Sequence, residues 1–140
     1  GKKAHGEHAP FTKVPNGVPS LELRMPLLFS EGVKKGRLSL ERFVALTATN
    51  PARIYGLLPR KGTIAVGADA DLALWDPERT HTVTRELLHD RMDYTPFEGM
   101  QLTGWPVTTL SRGEVIWHEG EVRGAPGRGR LIHRPAQRIS

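Results

Sequence analysis

Six histidines and fifteen carboxylates are the side chains through which this sequence could hold a metal ion or move a proton; it has no cysteine. The histidines are His5, His8, His81, His89, His118 and His133. None forms His-x-His or His-Glu-x-x-His, and no pair sits with a carboxylate at ligand spacing on an expected helix or strand. His5-Gly6-Glu7-His8 could chelate a metal as a flexible loop, but a solvated terminal segment explains it as simply. By strand alternation His118 faces solvent. Nucleophiles fare no better, since Ser20, Ser30, Ser39 and Ser111 lie in no Gly-x-Ser-x-Gly elbow. Gly124-Ala125-Pro126-Gly127-Arg128-Gly129 is glycine-rich but does not lie between a strand and a helix, which excludes a phosphate loop. Asp69 and Asp71 could share acid–base work. Turn-capping by their short side chains is the cheaper account.

One segment has a shape that suits recognition. In Val14-Pro15-Asn16-Gly17-Val18-Pro19 two prolines bracket Asn-Gly, stiffening a short loop while leaving the amide and carbonyl of Asn16 free to face outward. Such an exposed peptide unit presents one donor beside one acceptor. That pair complements the alternating N–H and C=O edge of a cyclic amide or imide. From spacing alone a plain structural loop is the simpler reading.

The elements that must position these residues read as helices first and strands afterwards. Leu21 to Val33, interrupted by Pro26, is expected to be an irregular or kinked helical segment ending at Gly32 or Gly36. Ser39 should cap a helix from Leu40 to about Thr49, burying Leu40, Phe43, Val44 and Ala48 as one stripe. Asn50-Pro51 reads as a fresh cap, so two short helices should meet at Asn50, the second stopped by Gly56. From Gly62 the pattern turns extended. Asp71 to Asp76 reads as a buried strand ended by Pro77, and His81 to Thr84 as another. Val107 to Ser111, Glu114 to His118 and Glu121-Val122, joined by Arg112-Gly113 and Glu119-Gly120, predict a β-meander. Its core face should carry Val107, Leu110, Val115 and Trp117.

Composition bounds the rest. The chain has 140 residues, 38% hydrophobic and 25% charged, as expected of one globular unit rather than a disordered one. No apolar run approaches the roughly 20 residues of a membrane helix, and Gly1-Lys2-Lys3-Ala4-His5-Gly6 has no apolar segment behind its lysines, unlike a secretory signal. The lack of cysteine excludes disulfides and thiolate ligands and fits a cytoplasmic protein. The net charge of +5 resides wholly in Arg123, Arg128, Arg130, Arg134 and Arg138, because the first 122 residues hold fifteen acidic and fifteen basic side chains. No aromatic is interleaved with these arginines to stack bases. A nucleic-acid partner is therefore the weaker reading of the tail, which looks like an arm without a core of its own.

A helical half followed by a small sheet with open edges is an awkward inventory for a free-standing domain. Longer motifs resolve it. Phe11 to Pro19 with Leu21 to Phe29 resembles the segment after the last metal ligand in the hydantoinase/dihydropyrimidinase family of cyclic amidohydrolases. Leu46-Thr47-Ala48-Thr49-Asn50-Pro51-Ala52-Arg53 and Lys61 to Asp71 are similar to the wider amidohydrolase superfamily. Asp93-Tyr94-Thr95-Pro96-Phe97-Glu98-Gly99, Gly104-Trp105-Pro106-Val107 and Arg112-Gly113-Glu114-Val115 return to the narrower one.

The resemblance implies an α/β architecture: residues 1–61 as the C-terminal end of a (β/α)8 barrel, 62–122 as half of a small β-sandwich, and 123–140 as an arm reaching a neighbouring subunit of a homotetramer. It implies hydrolysis of the ring amide of 5,6-dihydropyrimidines or 5-substituted hydantoins to N-carbamoyl amino acids. Two divalent metal ions, usually zinc, would serve that reaction, with all their ligands upstream of Gly1. Within this chain it assigns no catalytic residue and no metal ligand, and it assigns substrate binding to Asn16. Ser20 stands where relatives often have glycine, and Glu22 and Arg24 are expected as an ion pair near the pocket mouth. A non-catalytic assembly protein of the same fold is the alternative, and a small basic nucleic-acid-binding domain the third reading.

Overall fold

The computed structural model describes residues 10, 12, 17–19, 21–90 and 92–133. Helix α1 (Arg24–Leu28) passes directly into a π-helical stretch, Phe29–Lys34. The irregularity expected of this segment is this change of helix type. Pro26 lies in the first turn, where backbone N–H groups have no intrahelical acceptor, so the missing donor costs nothing. The run ends at Gly36, whose N–H donates to the Val33 carbonyl at 2.9 Å.

Ser39 caps α2 (Leu40–Val44) as expected, its Oγ accepting from the Arg42 N–H at 3.2 Å. The expected break at Asn50 does not occur. Helical backbone continues from α2 through π-helical Ala45–Thr49 into α3 (Asn50–Ile54), with Asn50 at φ −67° and ψ −44°. Its Oδ1 accepts from Arg53 Nη1 at 3.1 Å instead of capping. Pro51 lacks an N–H and crowds the carbonyl four residues back, and the wider turn falls just upstream of it.

The sheet is a four-stranded antiparallel meander in the order β1 (Leu72–Thr82), β2 (Gln101–Ser111), β3 (Glu114–His118) and β4 (Glu121–Val122). Both short links have the expected form: Arg112-Gly113 and Glu119-Gly120 have positive φ at both residues, the twist that suits a tight hairpin. β1 corrects two expectations. It is one strand of 11 residues passing through Pro77, not two strands separated there. Pairing shifts between Asp76 and Thr80, so the proline lies in a bulge where no ladder donor is needed. The Asp76 carboxylate fills the gap, accepting from the N–H groups of Glu78 and Arg79. Nor is β1 buried. It is an edge strand, and Leu74 is 47% exposed.

Two clusters hold helices to sheet. Leu23, Val83, Leu102 and Trp105 form the buried core, flanked by Leu27, Leu87, Phe97 and Met100. Beside it Phe29 stacks on Trp75 with centroids 5.2 Å apart, and Phe43 meets both rings edge-on. Between the clusters the buried Ser30 Oγ accepts from the Thr103 N–H at 3.1 Å, satisfying a strand donor left free near the bulge. Of the expected stripe only Phe43 is buried; Leu40 and Val44 are exposed because no described element covers that side of α2. Val115, placed on the core face by alternation, is exposed as well. His118, expected to face solvent, is half-buried, with Nδ1 2.9 Å from Thr108 Oγ1.

Candidate functional site

Asn16 and Ser20 lie outside the described residues, so of the loop expected to bind substrate only residues 17–19 are described. Val18 and Leu21 are exposed, and the next two residues anchor the chain. Leu23 is fully buried in the core. Glu22, expected to face Arg24, turns instead to His89: Oε2 accepts from the His89 backbone N–H and Oε1 lies 2.8 Å from its Nδ1. A carboxylate gripped by both the backbone and the ring of one residue has a fixed plane. No local sequence signal joins Glu22 to His89, which are 67 positions apart, and nothing in the spacing of the histidines sets His89 apart from the rest.

Asp69 and Asp71 make neither an acid–base pair nor an Asx turn. Both grip Lys61: Asp69 Oδ2 lies 2.8 Å from Nζ, and Asp71 Oδ2 bonds the same ammonium. Arg60 Nε reaches Asp69 at 2.9 Å, while the other Asp71 oxygen accepts from the Arg112 N–H at 2.8 Å. The cluster ties the segment leading out of α3 to the β2–β3 turn. Burial by itself pushes the Lys61 ammonium down, but the bonds to Asp69 and Asp71 outweigh it and its pKa is raised. The bonds from Lys61 and Arg60 hold Asp69 below its ordinary range. Burial pushes Asp71 up, yet the Lys61 and Arg112 donors leave it lowered. Depressed carboxylates contribute stability present above their ordinary pKa of about 3.9 and lost as pH falls through the lower folded value. A raised ammonium contributes stability present below about 10.4 and lost as pH rises through its higher folded value. The urea midpoint of Lys61→Met should therefore lie below that of the parent chain by a constant gap between roughly pH 5 and 9. The gap should shrink at both extremes; one that persists undiminished at pH 2 would contradict this clamp.

The tail is not a free arm over its described part. Residues 123–133 hold no helix or strand, but Arg128 Nη2 donates to the Ser111 carbonyl at 2.8 Å and to Glu114 Oε2 at 2.9 Å. Arg112 in turn donates to the Arg128 carbonyl. The Arg128 guanidinium holds the Glu114 carboxyl below its usual range. Arg134 and Arg138 lie outside the described residues.

Concavities lie on either side of the helical run among the described residues. A cavity of about 410 Å³ lies where the stem of α1 and the loop around Leu87–His89 meet the sheet, walled by Trp105 and Trp117. A more open groove of about 680 Å³ runs along α2 and α3, bordered by Leu40, Val44, Tyr55, Ile64 and Trp75. Among the described residues no group of three or more His, Asp or Glu side chains could hold a metal ion, and no helix is long and apolar enough to cross a membrane. The described part of the chain therefore does not fit a metal centre, and none of its residues is assigned a chemical step through one.

The chain is similar to the D-hydantoinase of Geobacillus stearothermophilus, 51% identical over 124 residues that cover 89% of this chain and 26% of that protein. A D-phenylhydantoinase of Escherichia coli is 50% identical over 124 residues, again 89% of this chain and 27% of the other. The solved D-hydantoinase from Bacillus sp. AR9 superposes with a TM-score of 0.89 at 45% identity, covering 93% of this chain and 28% of that one. The chain thus spans about a quarter of the length of the curated relatives it matches. The amidohydrolase family pattern is matched over residues 13–116, ending in the middle of β3. By that match, which takes in well over half of its length, the chain belongs to the amidohydrolase family.

Proposed function

We propose that this chain is the C-terminal part of a metal-dependent cyclic amidohydrolase. Its reaction opens the ring amide of 5-substituted hydantoins or 5,6-dihydropyrimidines to give N-carbamoyl amino acids. The observation that carries the reading is about 50% identity to D-hydantoinases across nine tenths of the chain. The metal ligands, two divalent ions' worth and zinc by preference, belong to the three quarters of those relatives that this chain does not span. Residues 1–61 are the end of a (β/α)8 barrel, 62–122 half of a β-sandwich, and 123–140 an arm contributing to a homotetramer. Exposed Leu131 supports that last assignment.

Asn16 holds the substrate through its main chain, N–H to a ring carbonyl and C=O to a ring N–H. Because the backbone does the holding, side-chain truncation is expected to matter little and loss of the N–H a great deal. The test joins this chain, in place of the corresponding segment, to the remainder of the Geobacillus stearothermophilus D-hydantoinase. The chimera should open hydantoin and lose turnover on chelation, whereas the 140-residue chain alone should show none. Asn16→Ala should leave KM within about threefold. Asn16→Pro should raise it by roughly 10- to 100-fold, the loss of one hydrogen bond in a desolvated site. Metal-dependent turnover by the isolated chain would refute the assignment of the ligands elsewhere. A folded, metal-loaded chimera without turnover would favour the non-catalytic assembly reading.

A further inference from the structure

We propose that the cavity walled by Trp105 and Trp117 is a binding site built for a small planar aromatic cation. Its volume of about 410 Å³ falls within the roughly 300–1,000 Å³ usual for small-molecule sites. Two indoles form its walls, and Pro26 and Leu87 add apolar surface. Trp105 is held in place by its Nε1–H bond to the Leu102 carbonyl at 3.0 Å and by the edge contact of His81, centroid to centroid 4.9 Å. The wall is therefore rigid before any ligand arrives, which spares the entropy of ordering it.

Charge selects the class of ligand. The cavity carries two carboxylates, Glu22 and Glu119, against one guanidinium, Arg79. Arg79 is spent on Glu119, donating through Nη1 at 2.7 Å and Nη2 at 3.2 Å, and it lies 3.9 Å from Asp76. That pair is internally neutral. Glu22 is left over, its plane fixed by His89 while each oxygen keeps a lone pair free. The cavity thus holds one carboxylate more than it holds guanidinium groups, beside two indoles. A flat cation with N–H donors meets both features, by a charge-assisted hydrogen bond to Glu22 and by contact with the indole faces. An anion of the same shape is repelled, and a neutral isostere gains only the apolar contacts.

Three probes of one shape separate these outcomes at pH 7.5: benzamidine, benzamide and benzoate. The readout is the indole N–H signals of the 15N-labelled 140-residue chain, whose three tryptophans report by position. Benzamidine should shift Trp105 and Trp117 saturably with a Kd on the order of 1 mM, a modest value suited to so small a ligand. Trp75 should not move, because it lies in the other groove against Phe29. Benzamide and benzoate should bind at least about tenfold more weakly. Glu22→Gln should erase the preference for benzamidine over benzamide, and Thr109→Phe, which adds a ring at the cavity wall, should abolish saturable binding of benzamidine. Equal affinity for all three probes, movement of Trp75 alone, or no saturable shift up to 10 mM, a ceiling about ten times the expected Kd, would each overturn the proposal. None of these readouts depends on hydrolase activity.

Discussion

Replacing Gly104 with alanine is expected to cost about 3–5 kcal/mol, enough to leave much of the chain unfolded if its stability is that of an ordinary small domain. Two effects add. Gly104 sits at φ +97°, a conformation that a residue with a Cβ adopts at a cost of about 1–3 kcal/mol. A Cβ built there would also stand 2.1 Å from Phe29 Cδ1 and 2.4 Å from Cε1, an overlap of the kind that costs about 1–3 kcal/mol even after adjustment. The ring has nowhere to retreat, since Trp75 stacks on one side of it and Phe43 closes another. Gly113 separates the two contributions. It has φ +81° and open space, with nothing within 4 Å of where an added Cβ would stand, so Gly113→Ala should cost only the backbone share, about 1–2 kcal/mol. Adding Phe29→Leu to Gly104→Ala should recover part of the loss, because a smaller side chain relieves the overlap but not the φ. Urea denaturation of the four chains decides the matter: equal costs at Gly104 and Gly113 would mean that Phe29 does not press on β2.

The same glycine explains why half of β2 was hidden in the sequence. Gly104 and Pro106 both argue against a central strand, and the expected strand began only at Val107. In the fold each has a local reason. Gly104 makes room for Phe29, and Pro106 faces Trp75 at a register shift where a donor is dispensable. Pro51 and Pro77 misled in the same way, as breaks in elements that in fact run through them, with a π-helical stretch just upstream of the one and a bulge at the other. What was legible depended on local backbone demands alone: the Ser39 cap, the two tight links of the meander, and the end of the first helical run at Gly36. Contacts of long sequence separation were not legible. Nothing near Glu22 announces His89, and nothing near Lys61 announces that Asp69, Asp71 and the Arg112 amide converge on one clamp. Of the candidate site, spacing offered a stiff loop with an exposed peptide unit; only the resemblance turned Asn16 into a substrate contact. The exposure of Leu40, Val44 and Leu74 was illegible for a further reason. Binary patterning marks which face is apolar, not which partner covers it, and no described element does so here.

Leu23→Ala is expected to be the most damaging truncation among the described side chains, at about 3–4 kcal/mol. Leu23 is fully buried and touches the core from the helical side, against Val83, Leu102 and Trp105 from the sheet side. Deleting its isobutyl group removes transfer energy and opens a void. Collapse is restricted, because Trp105 is tied by its indole N–H and Leu102 and Val83 belong to paired or hydrogen-bonded backbone. Leu21, two residues earlier and 82% exposed, provides the control; Leu21→Ala should change stability by no more than about 0.5 kcal/mol. The damage should also be local before it is global. Leu23 and Glu22 together fasten the segment after Pro19, the one to the core and the other to His89, so weakening one should make the other matter more. In a double-mutant cycle, Leu23→Ala with Glu22→Gln should depart from additivity by about 0.5 kcal/mol or more, as expected of neighbours sharing one anchorage. Amide exchange gives the spatial check: protection should fall first at Leu27, whose N–H donates to the Leu23 carbonyl at 2.8 Å, while the β2–β3 pairing persists. Uniform loss of protection across helices and sheet would instead mean that the two clusters melt as one unit, with Leu23 acting as core rather than as the anchor of the loop.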